Sequence, residues 1–511
     1  MRALRMGAHL RRPDYSLPMT SVIRRALGAL LPCCAFALAL ASLWGTSARG
    51  DIGVVLSEAL DESVGKVTRA GHSAVYFSRV CPETPVKLRP CRPDEMGSII
   101  SNYTTLGEDQ PFEWNDVPLS VFLYGVDDPQ FRPLIGLPQI KRALEENYRT
   151  EHLAGYCASE FCRTSNKPEW REMVGATLER SLYIFVVHTS LDQDLAFIKQ
   201  FNSSPNVNHF NGVTRNCATF VRAVVDFYYP HSAHADYLND FLMTSPKAIA
   251  RSFTRFGLHH PELDLRVLHF AQLPGTIKRS SQARSGTEQF CRTKKFYPPM
   301  VWFAPYGMPA AAGAYYLTGR FNPERELEKH PAVVLAASGR NTGRAGIRAN
   351  QADRDEPAKT TREQAVGTPA EWKQYQTDFD GILDEAVAEK LIPGRDYIDH
   401  FAAQLQNNGT PVLGPHGGMW LEISEGGQTT RLGVSANNVF SSSSNSHLAY
   451  SLLLASAHQM LKSPKDRRES MDEFKADWQT LQRGRTRVWE SLAESHTTQP
   501  ARQAMLVSAR P

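Results

Sequence analysis

Asn216-Cys217 opens the run NCATFVRAVVDFYYP, in which apolar residues recur at Phe220, Val221, Val224, Val225 and Tyr228. That spacing predicts an amphipathic helix beginning at Cys217, with Asn216 as its cap and the cysteine on the buried stripe. The N–H groups and positive dipole end of a first helical turn favour the thiolate, which is the nucleophilic form of cysteine. A thiol nucleophile also needs a base to take its proton, and the base needs a third group to fix its tautomer. His72, at the head of the strand-like run GHSAVYF far upstream, is the candidate base. The chemistry these two define is acyl transfer through a Cys–His pair, with histidine first in the chain.

The third group should lie on the strand beside His72. GHSAVYFSRV and GSIISNYTTL read as the arms of a hairpin, separated by a proline-rich loop that carries Cys81 and Cys91. If that cysteine pair marks the hairpin's midpoint, Ile100 lies across from His72, with Ser98 and Asn102 as diagonal neighbours on the same face. Asn102 is the better orienter, because its amide oxygen can accept from the imidazole. Other histidines compete. His188 ends the strand-like SLYIFVVHT, His209 lies just before Cys217, and His231, His234, His259 and His260 read as loop residues.

Elements that must position these residues run from about Asp51 to about Leu273. The segment VVLSEALDESVGKV reads as a helix, VPLSVFLYGV as a strand and LPQIKRALEENYRTEHL as a helix. SLYIFVVHT is a strand, LDQDLAFIKQF a helix, and FLMTSPKAIARSFTRFG a helix capped by Thr244 or Ser245. Strands leading and helices interspersed predict an α+β fold with an antiparallel sheet. Residues 296–318 lack charge, with Lys294 and Lys295 before them and Arg320 after. This candidate membrane segment is long enough to span a bilayer, yet its prolines and glycines suit a buried or membrane-surface segment equally well. A polar linker over 335–367 leads to a second, smaller α+β unit over 368–495, with a helix from Ala370 and a hairpin turning at Gly426-Gly427. No catalytic constellation appears in that unit.

The chain has 511 residues, enough for more than one core. Arg24 and Arg25 precede an uncharged apolar stretch from Ala26 to Trp44, and Thr46-Ser47-Ala48 supplies small residues for cleavage. Residues 1–48 therefore read as a secretory signal, an uncleaved anchor being the competing reading. Their loss removes six arginines and one aspartate and takes the formal net charge from +4 to −1. The basic balance belongs to the export segment and gives no support to nucleic-acid binding. In an exported protein Cys81/Cys91 and Cys157/Cys162 read as local disulfides, leaving Cys217 and Cys291 either as thiols or as a third bridge. No cysteine or histidine spacing suggests a metal site, and the chemistry needs no cofactor.

GHSAVYF, a following strand–helix unit, and NxxNxxTRNCATF together resemble the circularly permuted branch of the NlpC/P60 papain-like superfamily, in which the histidine strand precedes the cysteine helix. Within that branch the residues look closest to the periplasmic N-terminal domain of the bacterial lipoprotein N-acyltransferase family. Lecithin:retinol acyltransferase is a more distant relative with the same order. The resemblance covers roughly residues 60–260 and implies Cys217 as nucleophile and His72 as base, on a permuted papain-like sheet with packed helices. It does not mark the third residue. The long insert between Leu106 and Arg180 departs from compact members and leaves the substrate class open.

The expectation is therefore an exported cell-envelope enzyme, periplasmic and membrane-associated, that moves an acyl group of a lipid or lipoprotein through a Cys217 thioester. A peptidoglycan-peptide hydrolase is the enzymatic alternative. A non-catalytic envelope module with Cys217 bridged to Cys291 is the other.

Overall fold

The computed structural model describes residues 49–60, 70–102, 109–110, 114–153, 173–206, 208–209, 215–240, 243–292, 307–332, 367–414, 418–425, 428–438 and 446–461, with parts of 471–489. Residues 1–48, read above as a secretory signal, the Cys157/Cys162 pair, residues 296–306 and the expected linker over 335–366 lie outside that set.

Among the described residues, ten strands belong to the first part of the chain. They are β1 (Gly50–Ser57), β2 (His72–Phe77), β3 (Val80–Thr84), β4 (Lys87–Pro90), β5 (Ser98–Ser101), β6 (Asp109–Gln110), β7 (Asn115–Pro118), β8 (Leu182–Thr189), β9 (Asn208–His209) and β10 (Arg266–Phe270). Six of them form one sheet in the order β10-β8-β1-β2-β5-β7. Every pairing in it is antiparallel. The protein is thus α+β, with helices packed on an antiparallel sheet.

Strand alternation splits the apolar residues between two faces. Ile52, Val54, Leu56, Val75, Phe77, Phe185 and Val187 face a layer made by the helices Leu191–Ser203, Cys217–Tyr228 and Pro246–His259. Val55, Ala74, Tyr76, Ile99, Ile184 and Val186 face the opposite core. That second core also takes in Phe379, Phe401, Leu421, Tyr450 and Phe474 from the C-terminal part. There the helices Pro369–Ala388, Tyr397–Asn408 and Ser446–Leu461 surround a three-stranded sheet of β11 (Gly409–Leu413), β12 (Met419–Glu425) and β13 (Gln428–Gly433). Gln139 Nε2 donates to Leu405 O at 2.7 Å and Leu134 N to Val434 O at 3.0 Å, so the two parts share core and backbone bonds.

Two elements differ from expectation. The run beginning VVLSEAL holds strand β1 through Ser57, not a helix. Its residues are buried against apolar layers on both faces, and a strand covered on both sides loses the alternation that would reveal it. VPLSVFLYGV is strand only as far as Pro118 and then forms the helix Leu119–Tyr124, closed by Gly125 at φ 74°. All six residues of that helix are buried, so it too shows no periodic face. Strand β10, at the sheet edge, has no counterpart among the expected elements.

Cys81 and Cys91 form a disulfide with a Cα–Cα separation of 4.9 Å, clasping the β3–β4 hairpin. Gly97, just before β5, has φ 90°, and a Cβ there would meet Phe77 O at 1.9 Å. That close approach pins the entry of β5 against the end of β2.

Asp116 in β7 is wholly buried, and burial raises its carboxyl well above the usual range. The Ser98 hydroxyl and Arg89 offset only part of this. Ser98 Oγ donates to Val80 O at 2.7 Å, which commits its proton elsewhere. The folded state therefore holds a proton that the unfolded chain releases, and stability falls as pH rises above about 4, the unfolded carboxyl value. Asp116→Asn is expected to stabilise the protein at pH 7 by about 1–3 kcal/mol, the gain vanishing near pH 4. Melting curves of the variant and wild type across that range check the sign.

Candidate active site

Cys217 is the first residue of its helix, and the sequence fixes that start firmly. Asn216 Oδ1 accepts from Thr219 N at 2.9 Å while Asn216 N donates to Thr219 Oγ1 at 2.8 Å, a reciprocal capping box. The Asn216 amide also donates to Thr244 O at 3.0 Å, tying the helix start to the loop ahead of the Pro246–His259 helix. The first intrahelical bond runs from Phe220 N to Asn216 O, so the N–H groups of Cys217 and Ala218 lie ahead of it. Cys217 is half-buried and carries a thiol.

The helix packs chiefly along β2, with Val75 and Phe77 against Ala218, Val221, Val224 and Val225. At the far end the Phe77 and Tyr228 rings meet with centroids 5.7 Å apart. From Phe77 back to His72, and from Tyr228 back to Cys217, strand and helix each traverse about 16 Å at their usual rises. His72 and Cys217 therefore occupy the same end of one packed strand–helix pair. Alternation puts Ser73, not His72, in the row beneath the helix; His72, the first residue of β2, stands at the strand's end in the alternate row.

His72 is buried, and its Nε2 lies 2.9 Å from Ser101 Oγ. The expected register is off by three residues. Val75 pairs with Ile100, Tyr76 with Ile99 and Phe77 with Ser98, so Ile100 does not lie across from His72. The Cys81–Cys91 bridge clasps its own small hairpin, and the connection from β2 to β5 is longer on one side of it. An odd shift exchanges the faces. Ser101 comes to the His72 side, while Asn102, also buried, follows the last residue of the strand. Ser101 was missed; the signal available was a serine at each end of the short strand SIIS.

Of the competing histidines, the register places His188 away from His72. His188 pairs with Asp51, six strand residues from the Ser57–His72 pair and thus about 20 Å away. Its Nδ1 lies 2.9 Å from Asp51 Oδ1 and its Nε2 3.3 Å from Asp264 Oδ2. His259 and His260 bond to the carbonyls of Arg255 and Phe256 at the far end of their helix. His209 belongs to β9, which pairs with β6 outside the main sheet. Among the described residues Cys81, Cys91 and Glu95 come close enough to share an ion, but both sulfurs are consumed in the disulfide.

A buried polar network braces the wall beyond Thr244. Ser245 Oγ donates to Asp240 Oδ2 at 2.7 Å, Gly286 N donates to Asp240 Oδ1 at 3.1 Å, and Lys247 pairs with Glu288 at 2.6 Å. Burial raises the Asp240 carboxyl, and the bonds from Ser245 and Gly286 offset part of the rise. Outside this wall the surface turns apolar. Tyr237, Leu238 and Met243 are exposed, as are Tyr316 and Leu317 of the turn Tyr315–Gly319. Gly319 sits against the Asn239 side chain, which brings that turn beside the 237–243 loop. Among the described residues no helix is long and apolar enough to cross a membrane.

Comparison with family models, curated proteins and solved structures finds no match to this chain.

Proposed function

We propose that this protein is an exported cell-envelope thiol enzyme that transfers an acyl group through a thioester on Cys217. What supports the reading is the Cys217 thiol at a capped helix start, on a helix that packs along the strand headed by the buried, Ser101-bonded His72. The resemblance to permuted papain-like enzymes of the NlpC/P60 superfamily, and to the lipoprotein N-acyltransferase family, supports the same roles.

In this reading His72, at the end of its strand, takes the thiol proton, and Ser101 holds the imidazole through Nε2. The thiolate adds to the carbonyl carbon of an ester, and the carbonyl oxygen takes the electron pair. Collapse expels the alkoxide, which His72 protonates. An amine or alcohol acceptor then attacks the thioester and restores the thiol. Lipid or lipoprotein is the favoured acyl source because Tyr237, Leu238 and Met243 are exposed on the segment just ahead of Thr244, and Tyr316 and Leu317 are exposed on the turn whose Gly319 meets Asn239. In the sequence, Lys294, Lys295 and Arg320 flank the uncharged run 296–318, a pattern that suits an anionic headgroup layer at a membrane surface.

The test is mass spectrometry of the full chain after incubation with phospholipid vesicles, with and without hydroxylamine. An acyl mass on the Cys217 peptide that hydroxylamine removes is the expected result. Finding Cys217 bridged to Cys291 in the exported protein, or no acylation with any phospholipid or lipopeptide donor, would overturn it.

A further inference from the structure

We propose that Ser73 supplies a hydroxyl hydrogen bond to the oxyanion formed when Cys217 attacks a carbonyl, a role that rests on the acyl-transfer reading above. Ser73 is 0 % exposed, and its Oγ makes no hydrogen bond. A buried hydroxyl left in that state weakens a fold, and alanine would fill the same site without the penalty.

Its position gives the hydroxyl a use. Ser73 heads the row Ser73, Val75, Phe77 that lies under the Cys217 helix. Counting back from the Phe77–Tyr228 contact, one strand residue matches about two helix residues, which sets Ser73 beside the first turn. That turn presents the N–H groups of Cys217 and Ala218, ahead of the first intrahelical bond. A dipole end, N–H groups and an uncommitted hydroxyl thus converge where negative charge would develop on the substrate oxygen. His72 moves the proton at the strand's end; Ser73, on the other face of the same strand, meets the oxygen. One strand would then carry both functions on adjacent residues.

The reaction can be split to test this. Alkylation of the full chain by iodoacetamide consumes the Cys217 thiolate by displacing iodide and forms no oxyanion. Acylation by p-nitrophenyl butyrate adds the thiolate to the ester carbonyl, forms the oxyanion and expels p-nitrophenolate. Ser73→Ala is expected to slow acylation about 10²-fold or more while alkylation stays within about twofold. The isosteric pair Ser73→Thr and Ser73→Val repeats the comparison should alanine disturb the fold: threonine keeps the donor and the rate, valine loses both. Acylation within about threefold of wild type in Ser73→Ala or Ser73→Val, or equal losses in both reactions, overturns the proposal. Release of p-nitrophenolate that is unchanged in Cys217→Ala defeats the acyl-transfer reading itself, and Ser73's role with it.

Discussion

Cys217→Ala is expected to abolish acyl transfer, by about 10⁴-fold or more, while leaving the fold intact. The fold should survive because the helix start is built from other atoms. Asn216 and Thr219 exchange two hydrogen bonds, and the Asn216 amide holds Thr244 O. None of these uses the Cys217 side chain. Alanine is also the best helix former, so the melting temperature should change little. Cys217→Ser tests the chemistry further, since a hydroxyl in the same place is a far weaker nucleophile at neutral pH than a thiol. It should be almost as inactive as the alanine variant. His72→Ala should lose about 10²–10⁴-fold in acyl loading, the range for a missing general base. Ser101→Ala should lose less, since it removes only the contact to Nε2. The measurement is acyl loading by intact-protein mass spectrometry beside a thermal melt. A Cys217→Ala protein that still turns over would end the thiol mechanism, whatever His72 does.

The chemistry-bearing elements were the legible part of the chain. The Cys217 helix has one apolar face and one polar face, so its period and its Asn216 cap stand out in the residues. GHSAVYF begins at a glycine and runs apolar, which marks a strand start. Elements covered on all sides were not legible. β1 is apolar on both faces, and the Leu119–Tyr124 helix is buried all round, so neither has a polar row to set its period. Register was the other loss. Pairing of β2 with β5 is fixed by the close approach of Gly97 to Phe77 O and by the separate β3–β4 hairpin, neither of which is visible in residue spacing. A three-residue error was enough to set Asn102 on His72's face in place of Ser101. The shared core between β5, β7 and the C-terminal helices was likewise hidden, because Phe379, Phe401 and Tyr450 show only that they are buried, not against what.

Gly71→Ala should damage the protein in two separable ways. Gly71 has φ 73°, in the left-handed region, and a Cβ there would meet Ser57 O at 2.3 Å and Ala283 Cβ at 2.8 Å. The Ser57 oxygen is backbone, in the last residue of β1, which pairs with His72. It can yield only by opening the β1–β2 ladder at the His72 end. Left-handed alanine costs about 1–2 kcal/mol, and with the backbone clash the total should reach about 2–4 kcal/mol. His72 is the next residue, so relaxing that clash moves the imidazole before it unfolds anything else. Cys217 alkylation should slow about tenfold or more at temperatures where the variant remains folded, a loss consistent with about 1 Å of misplacement. Gly381→Ala is the matched control. It lies within the Pro369–Ala388 helix with nothing within 4 Å of a new Cβ. Alanine there should stabilise by about 0.5–1 kcal/mol and leave alkylation unchanged. Should Gly71→Ala lose stability yet alkylate at the wild-type rate, the start of β2 does not position the base. His72 would then be a buried structural residue, held by Ser101 for the sake of the sheet.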